Sequence, residues 1–485
     1  MNDSERAIER LARQRLARRD LLKLGGGALV LAVGASAIAP WSGKVLGQGR
    51  SAGPLTASPA PTIFRHLVGS DGWAHVSGLV SEAGVAVFPD PLAPAYAIDS
   101  GSSVSNGGLY MFGFRDVTAL DGGPSVPTAG TTHNPLILGI KGHVQASAPL
   151  LYFDEGDSIQ LTLSNLGFQQ RPDLTDSHTV HWHGFRNALP AFDGVPEMST
   201  SVPPGSDFPF YYHPTDPGTY MYHCHVEDVE HVQMGMSGIV FVRPAQNKTG
   251  AGSGVPIARL AGNPAGPMGY VYNDGNGATA YDREFGIFLS EAWATSRYDD
   301  AHIQQADWSM YRADFFLMNG RVYPDTLAPN GGGTDLTTGD LIAPLGHPEL
   351  QYQPHSSLVN CNAGDKVLLR FVNLGYTQPA MRLAGIKMKI VGKDATILRG
   401  VGSSGTRSGA DTTYSTDTIQ IGAGESFDAI FTAPPKTGSG YDTYLLYSTQ
   451  MGGLTNPGVP GLGGQLTEVR VYAAGTLLPQ MAPNE

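Results

Sequence analysis

Two stretches of this chain carry the same pattern of apolar and polar positions. Gly156-Asp157 opens Ser158-Ile159-Gln160-Leu161-Thr162-Leu163-Ser164, which alternates and ends at Asn165-Leu166-Gly167-Phe168. Gly364-Asp365 opens a more continuously apolar run from Lys366 to Val372, ending at Asn373-Leu374-Gly375-Tyr376. A turn feeding an alternating or continuous apolar run of this length predicts a β-strand. Further on, Val202-Pro203-Pro204-Gly205 and Phe208 are matched by Ile421-Gly422-Ala423-Gly424 and Phe427, and Thr219-Tyr220-Met221-Tyr222 by Thr443-Tyr444-Leu445-Leu446. Three matched segments in one order predict a duplicated β-sandwich. Helix signals are few, with one short helix expected over 301–309. A polar, Gly-rich stretch at 245–254 reads as a linker. The organisation predicted is all-β: a first domain at 54–244, a linker at 245–262 and a second domain at 263–478.

The N-terminal segment breaks this pattern. Arg18-Arg19-Asp20-Leu21-Leu22-Lys23 precedes an uncharged run from Leu24 to Ile38, with small residues at Ala35, Ala37 and Ala39. It resembles a twin-arginine export signal, assigned to 1–39 and expected to be cleaved, which places the mature chain in the periplasm or outside the cell. The apolar run is shorter than the roughly 20 residues a spanning helix needs, so no stable membrane anchor is expected.

Composition narrows the classes further. Gly (63) and Pro (35) are abundant and charged residues make up 15%, as in short strands joined by many turns. A net charge of −12 argues against nucleic acid. Two cysteines in an exported chain would ordinarily pair, but Cys224 lies between two histidines and is better used as a thiolate ligand. Cys361 reads as a small buried residue, and no disulfide is expected.

The candidate chemistry is concentrated in two segments, His178-Thr179-Val180-His181-Trp182-His183-Gly184 and Tyr222-His223-Cys224-His225, the second followed by His231 and Met236. Side chains alternate along a strand, so His181 and His183 share a face, as do His223 and His225, while Cys224 takes the other. His178, three residues before His181, leans toward Cys224. Parity thus yields two clusters. His178 and Cys224 are completed by His231 and Met236 in the loop after the strand: two imidazoles, a thiolate and a weak thioether, the ligand set of a type 1 copper. His181, His183, His223 and His225 form an all-imidazole site, covalently continuous with Cys224.

These motifs resemble the multicopper oxidase family, over most of the chain from about Pro54 onward. The resemblance implies two tandem cupredoxin-like Greek-key β-sandwiches. It implies His178, Cys224, His231 and Met236 as type 1 ligands, His181 on the type 2 side, and His183, His223 and His225 on the type 3 side of an oxygen-reducing centre. Asp193 then stands where a proton-delivering carboxylate is found, and Glu227 where an acid lies near oxygen–oxygen cleavage. The implied activity is copper-dependent oxidation of a small reducing substrate, with dioxygen as acceptor.

Two departures qualify this. Six residues separate Cys224 from His231, a longer spacing than is commonest in the family. The family's three-copper centre also takes His-x-His pairs from two domains, whereas both pairs here lie in the first half. In the second half Gln378, Met381 and Leu383 are matched to His178, His181 and His183, and Tyr447-Ser448-Thr449 to His223-Cys224-His225. A homo-oligomer completing the second site is one expectation. Two alternatives remain: a nitrite-reductase-like enzyme with type 1 and type 2 coppers, and a non-enzymatic blue-copper electron carrier or copper-binding protein. The acidic run from Glu227 to Glu230, close to His231, favours a cationic donor.

Overall fold

The computed structural model describes residues 61–82, 85–98, 106–127, 134–249, 268–402 and 407–485. The export segment 1–39, position 54, His133 and most of the linker 245–262 lie outside these residues. The linker's start forms one helical turn, Gln246–Thr249. Among the described residues no helix is long and apolar enough to cross a membrane.

Residues Pro59–Glu485 form one compact unit that contains two β-sandwiches. In the first, one sheet has the order Asn106–Asp116, Ile63–Ser77, Ile159–Asn165, Ser206–Tyr212. The facing sheet has the order Leu151–Asp154, Ser237–Arg243, Gly218–His223, His181–His183. Alternate residues of both sheets, among them Leu161, Leu163, Trp182, Phe210 and Tyr222, fill the core between them.

The second sandwich repeats this plan and extends it, with sheets of seven and five strands. Phe315–Met318, Arg283–Ala292, Lys366–Asn373 and Ser426–Thr432 take the places of the first sheet. Val359–Asn362, Leu466–Tyr472, Asp442–Ser448 and Ala380–Leu383 take those of the second. Even the pairing sense is kept: Ile63–Ser77 runs parallel to Ile159–Asn165, as Arg283–Ala292 does to Lys366–Asn373. The repeated Asn-Leu-Gly has a physical basis. Asn165 donates through Nδ2 to the carbonyls of Asp176 (2.8 Å) and Val202 (2.9 Å) and accepts from Gly167 N. Asn373 does the same to Thr377 (2.9 Å) and Ile421 (3.2 Å), and accepts from Gly375 N. Each asparagine ties a strand end to the backbone carbonyls of two loops.

A buried ionic network joins the sandwiches. Arg370 contacts Glu284 (3.2 Å) and Asp428 (3.1 Å), and Arg243 reaches across from the first sandwich to the same Glu284. Thr219 donates to Asp428 (2.6 Å) and Arg370 stacks on Phe241 at 4.3 Å.

The helix expected over 301–309 is displaced. A helix occupies Ala294–Ala301, and Ile303 has φ 60, which ends helical geometry there. Only a short 3-10 turn follows at Trp308–Met310, capped by Asp307. The two cysteines are free and lie in different sandwiches, Cys361 buried in the second core.

Candidate metal centre

The first cluster is assembled from three places. His178 precedes the His181–His183 strand and is held by paired backbone hydrogen bonds to Val202, 2.9 and 2.8 Å. Cys224 follows the Gly218–His223 strand, and its N–H donates to Met236 O (3.1 Å). His231 and Met236 were expected in a loop. Met236 does lie in one, but residues Asp228–Met234 form a helix with His231 at its middle and with Glu227 and Gly235 in left-handed conformations at its ends. A helix rises only about 1.5 Å per residue, so the extra residues between Cys224 and His231 are taken up by coiling.

His178, Cys224, His231 and Met236 are all inaccessible to solvent. Cys224 Sγ lies 3.3 Å from His231 Nδ1 and 4.0 Å from His178 Nδ1. One donor atom from each of these three residues lies within 4.8 Å of the others, an arrangement that fits one enclosed soft metal ion. Met236 borders the same space: a Cβ placed on Gly69 would meet His178 Cδ2 at 2.8 Å and Met236 Cε at 3.4 Å. Burial, with His231 alongside, holds His178 well below its ordinary pKa, which leaves it a neutral ligand. Burial also acts to lower His231, but Cys224 and Asp176 outweigh it and raise it to about 10. Thr179 N–H donates to Cys224 Sγ (3.5 Å), and Thr179 Oγ1 accepts from His225 N (3.0 Å).

The second cluster faces away from that core. His181 and His223 are directly cross-strand, with ring centres 5.2 Å apart, and His183 pairs with Met221. One ring nitrogen from each of His181, His183 and His223 lies within 4.8 Å of the others. His225 is at the margin, its ring 5.1 Å from that of His181 and 5.5 Å from that of His223. Two tautomers are fixed by the backbone: His181 Nδ1 donates to Asp193 O (2.6 Å) and His223 Nδ1 to Cys224 O (2.8 Å), which leaves each Nε2 for a ligand. Burial lowers His181 and His183, and takes His223 down to about 3.

The two candidate acids part company. Asp193 does reach the cluster, chiefly through its carbonyl, with Oδ1 3.5 Å from His181 Nδ1. Its turn is pressed so close to the strand that a Cβ on Gly194 would lie 2.4 Å from Val180 O. Glu227 does not join the histidine cluster: it groups with Asp176 and His231 on the other side. The position that the resemblance implied for it is not reached because Glu227, at φ 46, turns the chain into the helix. Asp176, Thr179 and Gly69 carry no motif and were not singled out from the sequence.

The second sandwich offers no counterpart ligands. His181 stands opposite His223 as Arg382 stands opposite Tyr447, and His178 bonds Val202 as Pro379 bonds Ile421. Pro379, Arg382 and Ala384 therefore replace Gln378, Met381 and Leu383 as the counterparts of the three histidines, while Tyr447-Ser448-Thr449 keep their match. What this half supplies is support for the helix bearing His231. Arg297 donates to the carbonyls of Met234 (3.2 Å) and Gln233, and Tyr376 to that of Val229.

Several known proteins similar to this chain fall in one family. The multicopper oxidase family profiles match residues 130–247 and 285–458. Laccase-3 of Botryotinia fuckeliana is 24% identical over 295 residues, 60% of this chain and 49% of that protein. Laccase 1 of Metarhizium acridum (strain CQMa 102) is 33% identical over 108 residues, 22% of this chain and 16% of its own length. The chain thus spans half or less of these relatives. A solved multicopper oxidase, mgLAC, shares the fold at TM-score 0.50 and 18% identity, covering 86% of this chain and 88% of that one. The chain belongs to the multicopper oxidase family, whose members are copper-dependent oxidoreductases.

Proposed function

We propose that this chain is an exported copper oxidoreductase that takes electrons from a small reducing substrate and delivers them to dioxygen. The observation that carries this reading is the convergence of buried Cys224, His178 and His231 on one side of a strand whose other side presents His223. Copper, when bound, supplies one-electron redox chemistry. His178, Cys224 and His231 would hold it away from water with Met236 alongside, and the Thr179 N–H would stabilise charge on the sulfur. The peptide from Cys224 to His223 is a covalent electron path between the clusters. Asp193 orients His181 and is placed to relay protons there. Glu227, with Asp176, belongs to the outer edge of His231. We assign the domains to 54–244 and 263–478, joined by 245–262, with 1–39 as the export signal directing the chain to the periplasm or beyond.

The reducing substrate has a place to dock. A cleft of about 290 Å³ beside the helix that carries His231 is lined by Glu230, Met234, Asp300, Trp308 and Arg171 among others. Two carboxylates against one guanidinium, beside an indole, suit an aromatic cation. The test is oxygen uptake by the copper-loaded chain at neutral pH with dopamine, an aromatic donor that carries an alkylammonium, and with anionic ferrocyanide. Glu230→Gln is expected to raise KM roughly fivefold for the amine, about 1 kcal/mol, and to leave ferrocyanide unchanged. No oxygen uptake with either donor contradicts the oxidase reading, and nitrite turnover in its place would favour the nitrite-reductase-like alternative.

A further inference from the structure

The clusters are unequal to a three-copper centre, and the mismatch points to a smaller one. We propose that the all-histidine cluster holds a single copper on His181, His183 and His223, so that the loaded chain carries two coppers in all. This rests on the reading above only for the identity of the metal.

Donor arithmetic is the first reason. This face offers four imidazoles, and three coppers sharing them would have little more than one protein donor each. A single ion on three imidazoles has the usual composition of a reactive metal site, three protein ligands and an open position. Geometry is the second reason. His181, His183 and His223 bring one nitrogen each within 4.8 Å of the others, while His225 is not part of that group. The carbonyls of Asp193 and Cys224 fix two of these rings in place.

The third reason is that the second sandwich places no donor at the cluster and the described residues hold no further His-x-His pair. The second sandwich closes on the cluster with glycine: a Cβ on Gly424, which has φ +77, would lie 3.1 Å from His183 Nε2. Its strand positions equivalent to the ligands are Pro379, Arg382, Ala384 and Tyr447. The remaining described histidines are scattered and engaged. His66 is held by Asp121 and Ser164, His75 is paired with Asp325, and His302 with Asp90. None forms a His-x-His pair that a neighbouring copy could present.

The experiment is copper content per chain, by elemental analysis of the full chain stripped with chelator and reloaded with Cu(II) alone, alongside EPR. Wild type is expected to bind two coppers, giving one blue and one ordinary tetragonal Cu(II) signal in equal amounts. Cys224→Ser should retain one copper with only the tetragonal signal. His181→Ala should retain one with only the blue signal, which also shows that the variant folds. His225→Ala should keep both. Three or more coppers in wild type, or one copper lost only in Cys224→Ser, would overturn the proposal, as would loss of the second copper in His225→Ala. Two coppers without oxygen uptake leaves this inference standing and sinks the oxidase reading. Four coppers with uptake does the reverse.

Discussion

Gly69 shows how much of a metal site is made by residues that never touch the metal. It lies in the Ile63–Ser77 strand with nothing in its sequence neighbourhood to mark it, yet its missing side chain is the space His178 and Met236 occupy. Gly69→Ala is expected to push the His178 ring, since a contact of 2.8 Å cannot be kept. The cost is about 1–3 kcal/mol of overpacking, read in urea unfolding, together with a shifted or bleached blue absorption in the loaded chain. An unchanged spectrum with unchanged stability would mean that this strand does not set the ring's position. The ligand types themselves were legible in the sequence, because thiol, imidazole and thioether at fixed order have few other uses. Thr179 and Asp176 were not, because a backbone N–H and an unremarkable aspartate acquire meaning only from what they face.

At the level of elements, strand parity carried the reading wherever the chain stays extended. Trp182 enters the core while His181 and His183 face away from it, and Cys224 points inward between His223 and His225. Extended geometry ends at Glu227, where a left-handed residue opens the Asp228–Met234 helix, and the acid lies beside His231 rather than at the histidine cluster. The one-residue slip in the second half has a related cause. The loop from Asn165 to His178 is longer than the one from Asn373 to Pro379, so sequence matching had no fixed point across it. Only the ladder, with Arg382 opposite Tyr447, supplies one. The displaced helix at Ala294–Ala301 is a similar case, since its residues include Thr295, Ser296 and two aspartates, and tertiary contacts such as those of Arg297 stabilise it more than propensity does.

In the molecule as a whole, the second sandwich has kept the fold and carries none of the ligands. Its remaining work is mechanical: it clamps the His231 helix, closes over His183 and is locked to the first sandwich by Arg370, Glu284 and Asp428. Arg370→Met would leave two buried carboxylates short of a partner and is expected to cost about 3–5 kcal/mol in equilibrium unfolding. It should weaken both clusters without touching a ligand, and a stability change under about 1 kcal/mol would show that the network is dispensable. The duplication was legible from three short segments, whereas the salt-bridge lock was not, because its members lie far apart in sequence and pair only once both sandwiches exist. The central claim is that buried Cys224, His178 and His231 hold one copper through a sulfur bond. Visible absorption of the copper-loaded chain tests it most directly. An intense blue sulfur-to-copper band in wild type, absent from a folded Cys224→Ser variant that still binds copper at the histidine cluster, is the result predicted. A colourless wild type at full copper loading, or a blue band that survives Cys224→Ser, would contradict it.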